Sequence, residues 1–241
     1  MNKLAKLLSI LTCLGALVFC LFMSIDTQAF RKSFYEEKYT ELNTAQSIGM
    51  SNEALFEATD ALLDYIKDKR DDISCVQEVK GKLREVFDKR ETDHMVDVKN
   101  LYLNARTICL TISLIGLCSL LGLFYMMKNK GYTFVSFIFD MKDGLRQVVL
   151  SFIIVIGSLL FYALVDFTRF WTMFHEILFT NDLWLLDPRI SIMINMFPEE
   201  FFFAMVMNIA ITFIVSFLSV SGLFLFFANK YLKKQEMIEG E

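Results

Sequence analysis

Residues 201–227 read FFFAMVMNIAITFIVSFLSVSGLFLFF, a run with no charged residue and no proline. At about 1.5 Å per residue, a helix of this length exceeds the roughly 30 Å of hydrocarbon in a bilayer, so the run reads as a membrane span. Three further stretches, at about 7–25, 101–127 and 148–167, pass the same test. The composition agrees with four spans: 55% of residues are hydrophobic, 25 are Phe, and only two prolines interrupt 241 residues. The bilayer takes the place of a soluble core.

The first run also has features of a signal peptide, since Lys3 and Lys6 precede it and Thr27-Gln28-Ala29 weakly imitates a cleavage site. It exceeds the about 7 to 15 apolar residues of a signal peptide, which favours an uncleaved first helix. Cys20 follows a bulky Phe19 where a lipid-modified cysteine needs a small neighbour, so lipidation is not expected there. Cys13, Cys20, Cys109 and Cys118 lie in apolar runs and only Cys75 in a polar stretch, which argues against a disulfide framework. The formal net charge is −4, and no basic cluster carries interleaved aromatics, so nucleic acid is not an expected partner.

Orientation follows from the short connections. Lys3 and Lys6, then Lys128, Lys130, Lys142 and Arg146, then Lys230, Lys233 and Lys234 belong on one side, so the positive-inside bias predicts cytoplasmic termini. Residues 29–100 and 169–200 are then external. In the first of these segments Leu55, Thr59, Leu62 and Ile66 form a helical stripe behind an N-cap at Ser51 or Asn52, and Val76, Val79, Leu83 and Val86 form a second stripe. The expected fold is therefore an all-α integral membrane protein, one domain over 1–241, with four transmembrane helices and an extracellular helical cap between spans 1 and 2. The last cap helix runs through His94 into the second span with no Pro or Gly to stop it. Between spans 3 and 4, residues 169–200 expose too many aromatics for an aqueous loop and read as interfacial segments broken by Pro188 and Pro198. Pro198, Glu199 and Glu200 suit the first turn of the fourth helix, with acids at its positive end.

His94 and His175 are the only histidines. Glu91 stands three residues before His94 and Asp97 three after, so either carboxylate is placed to orient the ring and leave its other nitrogen poised for proton transfer. The competing reading is a solvated, salt-bridging helix face. His175 sits among aromatics just beyond the third span, where it is either a functional group at membrane depth or a ring touching headgroups. The topology puts both histidines at one outer interface. There is no Gly-x-Ser-x-Gly, His-Glu-x-x-His, glycine-rich phosphate loop or C-x-x-C, so an enzyme built on this pair suits a reaction whose nucleophile belongs to the substrate. A single Glu91-x-x-His94 element, even completed by Glu176, Glu199 or Glu200, is an incomplete metal-ligand set.

The segment Glu91-Thr92-Asp93-His94-Met95-Val96-Asp97-Val98-Lys99 resembles the stretch before the second span of the lipoprotein intramolecular transacylases of Gram-positive bacteria. Two further segments, Phe174-His175-Glu176-Ile177-Leu178-Phe179-Thr180-Asn181-Asp182-Leu183-Trp184-Leu185-Leu186-Asp187-Pro188 and Met196-Phe197-Pro198-Glu199-Glu200-Phe201-Phe202, resemble that family's other signature. The resemblance implies movement of the sn-2 acyl chain of a diacylglyceryl lipoprotein cysteine to the same cysteine's α-amino group, giving a lyso-form lipoprotein. It implies catalysis by His94 and His175, bacterial lipoproteins and membrane lipid as partners, and neither metal nor other cofactor. Two other functions compete with it: a metal-assisted membrane hydrolase or oxidase using Glu91, His94, His175 and Glu176, and a non-catalytic four-span scaffold.

Overall fold

The computed structural model of the protein describes residues 2–239. Its elements in chain order are α1 (Lys3–Ala29), α2 (Lys32–Glu41), α3 (Thr44–Ile48), α4 (Asn52–Ile66), β1 (Val76–Val79), β2 (Lys82–Glu85), α5 (Lys89–Asn129), α6 (Phe134–Val165), α7 (Phe167–Leu178), α8 (Ile192–Met196) and α9 (Glu199–Glu239). The helices α1, α5, α6 and α9 are long and apolar enough to cross a membrane, so the fold is that of an all-α integral membrane protein with four such helices. As expected, α5 runs unbroken from the charged residues around His94 into its apolar run.

Backbone contacts divide the chain into two compact units. The first comprises the residues up to Ile25, Thr107–Phe161 and the residues from Ile209 onward. Within it α1 is the inner helix: 44% of its most apolar stretch is buried, against 17%, 11% and 11% for α5, α6 and α9. Two glycines permit that enclosure, because a Cβ on Gly15 would stand 2.7 Å from Gly116 Cα and one on Gly116 would stand 2.8 Å from Gly15 Cα. Small residues let membrane helices approach backbone to backbone, where no hydrophobic effect drives them together. Thr12, Ser24 and Ser119 donate to the carbonyls of Leu8, Cys20 and Ile115, which satisfies their hydroxyls within their own helices. Ile154, Phe161, Leu218 and Phe226 point outward, fully suited to lipid and costly in water.

The second unit comprises Asp26–Arg106 and Tyr162–Asn208. Its core is aromatic: Phe34, Tyr35 and Tyr39 of α2 pack their rings 5.1, 5.3 and 6.0 Å from Phe201. The Tyr39 hydroxyl meets the Thr59 hydroxyl of α4 at 2.8 Å. Ser51 is the N-cap of α4, its Oγ accepting from Ala54 N at 3.1 Å, and Leu55, Thr59 and Leu62 are buried as their stripe predicts. Pro198 stands immediately before α9, and its carbonyl accepts from the N–H groups of Phe201 and Phe202.

One expected helix is absent. Val76, Val79, Leu83 and Val86 do not share a helical face; β1 and β2 form an antiparallel hairpin in which Val76 faces Glu85 and Val79 faces Lys82. The reason is the two-residue turn, with Lys80 at φ 52° and Gly81 at φ 75°, the left-handed pair that a tight hairpin requires and a helix cannot hold. Lys80 N donates to Gly49 O at 2.7 Å, so the turn is fastened to the left-handed C-cap of α3. Leu83, placed on the buried stripe by the helical spacing, is 77% exposed.

Candidate functional site

His94 belongs to the charged first turns of α5, ahead of its apolar run. A reciprocal cap starts that helix: Asp88 Oδ1 accepts from Glu91 N at 2.9 Å, and Glu91 Oε2 accepts from Asp88 N at 2.6 Å. Glu91, His94 and Met95 are buried at helical spacing, so one face of α5 is turned inward. His175 belongs to α7, whose N-cap is Asp166, its Oδ1 accepting from Arg169 N at 3.0 Å. Phe167, Trp171 and His175 recur every fourth residue and form that helix's inner face. Within this unit the two faces bring the His94 and His175 rings together, centroids 6.2 Å apart and planes tilted by 35°.

The rings lie in an aromatic box. Phe179 packs 5.3 Å from His94 and 5.6 Å from His175, Trp184 stacks on His175 at 4.9 Å, and Trp171 meets His175 edge-on at 4.9 Å. Each histidine is only 8% exposed. His175 Nδ1 lies 2.7 Å from the Trp171 carbonyl, which can only accept, so Nδ1 carries the hydrogen and the neutral ring keeps its lone pair on Nε2. His94 Nδ1 is buried with no hydrogen-bond partner among the described residues. Burial lowers the pKa of His94 to about 4, helped by His175 and Arg90 and opposed by Asp97. Burial also lowers that of His175, against the stabilising bond to Trp171 O. Near neutral pH the pair is therefore two neutral imidazoles, each able to accept a proton, and each more acidic than an ordinary imidazolium once it has done so.

The two carboxylates singled out beside His94 hydrogen-bond elsewhere. Glu91 Oε1 accepts from Ser191 Oγ at 2.5 Å and from Met193 N at 2.8 Å, so this buried side chain ties the start of α5 to the start of α8. Asp97 Oδ2 accepts from Asn181 Nδ2 at 2.8 Å and acts on His94 through its charge. Glu176 is exposed. Among the described residues no three His, Cys, Asp or Glu side chains cluster as metal ligands.

Residues 179–187 form a strap over the pair. Arg90 donates to Asp182 O and pairs with its carboxylate at 3.2 Å, while Trp184 Nε1 donates to Asn181 O at 3.0 Å. The contacts that the strap and the Ser191 cap make with α5 are not readable from spacing, because Asn181, Asp182 and Ser191 lie in irregular backbone 84, 92 and 100 residues from their partners. The only pointer to them is that they stand in or beside the family-like segment around His175.

A family model described as "Lipoprotein intramolecular transacylase Lit" matches residues 10–202. The fold is similar to an in meso structure of the membrane integral lipoprotein intramolecular transacylase Lit from Bacillus cereus, with a TM-score of 0.68 and 20% identity, covering 98% of this chain and 100% of that one. A form of that protein with a histidine-to-arginine mutation gives 0.70 and 19%, covering 98% and 94% of the two chains. One with a histidine-to-alanine mutation gives 0.68 and 20%, covering 97% and 96%. No curated protein sequence matches the chain.

Proposed function

The chain belongs to the lipoprotein intramolecular transacylase family, and on that premise we propose that it moves the sn-2 acyl chain of a diacylglyceryl-cysteine lipoprotein to the same cysteine's α-amino group. The observation that carries this reading is the meeting of the chain's only two histidines, from helices far apart in sequence, with rings 6.2 Å apart inside an aromatic box. The family supports a bacterial plasma-membrane protein, and the positive-inside bias supports cytoplasmic ends with the histidine pair on the outer side, where acyl chains, glycerol and a lipoprotein N-terminus meet.

In this reading the amine nitrogen attacks the sn-2 carbonyl carbon. The C–N bond forms, a tetrahedral intermediate collapses, and the bond to the sn-2 oxygen breaks. One proton leaves nitrogen and one reaches that oxygen, so the products are an amide and a secondary hydroxyl, and no water is consumed. Starting from the ammonium form, one further proton goes to solvent. His175 Nε2, its lone pair freed by the Nδ1–H bond to Trp171, takes the proton from the intermediate's nitrogen, which is far more acidic than the free ammonium. The resulting imidazolium, itself made acidic by burial, returns the proton to the departing oxygen. His94, neutral at this pH, offers its ring N–H to the charge growing on the carbonyl oxygen.

Because amine and ester belong to one molecule, the protein's contribution is orientation rather than capture of a second substrate, an effect worth several kcal/mol. The burial of both rings also keeps water from competing as nucleophile. Mass spectrometry of a lipoprotein's N-terminal peptide, from cells with and without this protein, tests the reading. The lyso-form should appear only when the protein is made; an unchanged diacyl peptide rejects it.

A further inference from the structure

Beside the histidine pair, within the same unit, lies a pocket of about 240 Å³ whose polar lining is Asp97, Asn100 and Asn104 of α5 with Thr180 and Asn181 of the strap, and whose apolar lining is Leu101, Leu178 and Phe179. Phe179 belongs to both places: its ring packs on His94 and on His175 and also walls the pocket. Asp97, Asn100 and Asn104 recur at helical spacing and carry a polar stripe from His94 to the point where α5 turns apolar. Amides and a carboxylate on a helix entering lipid are costly unless something polar meets them.

The stripe is held in place. Asn181 gives its amide to Asp97 Oδ2 at 2.8 Å, takes Leu183 N on its side-chain oxygen at 3.0 Å, and takes Trp184 Nε1 on its backbone oxygen at 3.0 Å. It therefore cannot turn away, and it fixes the carboxylate. The charges acting on His94 are Asp97, which draws a proton towards it, and Arg90 and His175, which oppose one.

We infer that this pocket receives the polar junction of the substrate, with Asp97 binding the cysteine's α-ammonium and Asn100 and Asn104 binding the glyceryl and ester oxygens. The inference rests on the proposed acyl transfer and assigns a subsite within it. A pocket of this volume has room for a primary ammonium and its neighbouring oxygens. One anionic group among carboxamides is the donor set that selects a single cation over a neutral amide. The ammonium would be bound next to the pair that handles its protons.

The test uses the full protein in detergent micelles and two synthetic lipopeptides in which an ether replaces the sn-2 ester, so that no acyl transfer follows. One has a free α-amine and the other is N-acetylated. The wild-type protein should bind the amine form about tenfold more tightly, the effect of one charge-assisted contact. Asp97→Asn should remove that preference, Asp97→Glu should restore part of it, and Asn100→Leu or Asn104→Leu should weaken both lipopeptides alike. An amine preference that survives in Asp97→Asn, or none in the wild type, overturns the subsite while leaving acyl transfer standing. Binding of neither lipopeptide overturns both.

Discussion

Glu91, in the first turn of α5, accepts a 2.5 Å hydrogen bond from Ser191, the N-cap of α8. The same carboxylate takes Met193 N and Asp88 N, so its two oxygens meet three donors in a buried place. A Gln there would turn an NH₂ toward some of those donors. Glu91→Gln should therefore destabilise the protein by about 1.5–3 kcal/mol, the worth of hydrogen bonds to a charged group, and Ser191→Ala by less. Activity should fall with Glu91→Gln, but less than on loss of His94, because the ring itself remains. Thermal unfolding in detergent and product yield check both; full stability and activity in Glu91→Gln would show the tie to be idle.

The crossing of α1 and α5 makes a packing prediction. Gly15→Val places side-chain atoms against the backbone of Gly116, which cannot rotate aside, so α1 and α5 must separate. Folded yield should fall severalfold. Gly222→Ala is the control, since a Cβ there meets nothing within 4 Å. Equal yields from the two variants would remove the glycine contact from the account.

The pH dependence follows from the lowered histidine pKa values. A lowered value keeps an imidazole neutral further into acid, so His94, at about 4, remains able to accept a proton near pH 6, and His175 remains so to lower pH than an ordinary histidine. The substrate amine, with a pKa of about 7.7 to 8.0, then sets the rate by itself. Below pH 7 the rate should fall tenfold per unit, and the steepening that comes with protonation of the pair should be displaced below pH 6.5, His94 contributing to it only as pH approaches about 4. A histidine at its ordinary pKa of about 6.5 would instead double the slope just below pH 6.5. The sign for stability is the same: the unfolded rings bind protons below about pH 6.5 and the folded ones do not, so stability declines as pH falls from there.

Much of this architecture is legible in the amino-acid sequence. Four apolar runs long enough for a bilayer, the Ser51 cap and the break before Glu199 all rest on local rules that context rarely overrides. The hairpin is not legible, because Val76, Val79, Leu83 and Val86 imitate a helical stripe if the Lys80-Gly81 pair is passed over. The histidine pair follows from number and sidedness, but its tautomer depends on Trp171 O. Glu91 meets Ser191 and Met193 at the start of α8, and Asp97 meets Asn181 in the strap, placements that no periodicity encodes.

Orientation has a native reporter. Cys75, partly exposed in the polar stretch before β1, should react with a membrane-impermeant maleimide in intact cells. In a Cys75→Ser background, a thiol introduced by Lys130→Cys should react only after permeabilisation. Reaction of the Lys130 site first would invert the topology and move the histidine pair to the wrong side.

In the proposed mechanism His94 and His175 act as one unit on one substrate. The most direct measurement is the ratio of lyso-form to diacyl lipoprotein peptide in cells making equal amounts of wild type, His94→Ala, His175→Ala and the double variant. Groups that cooperate in a single step are non-additive, so each single variant should nearly abolish the lyso-form and the double variant should be little worse. Membrane insertion should be unchanged, since it depends on the apolar runs and not on these rings. Wild-type conversion by either single variant would contradict the two-imidazole mechanism.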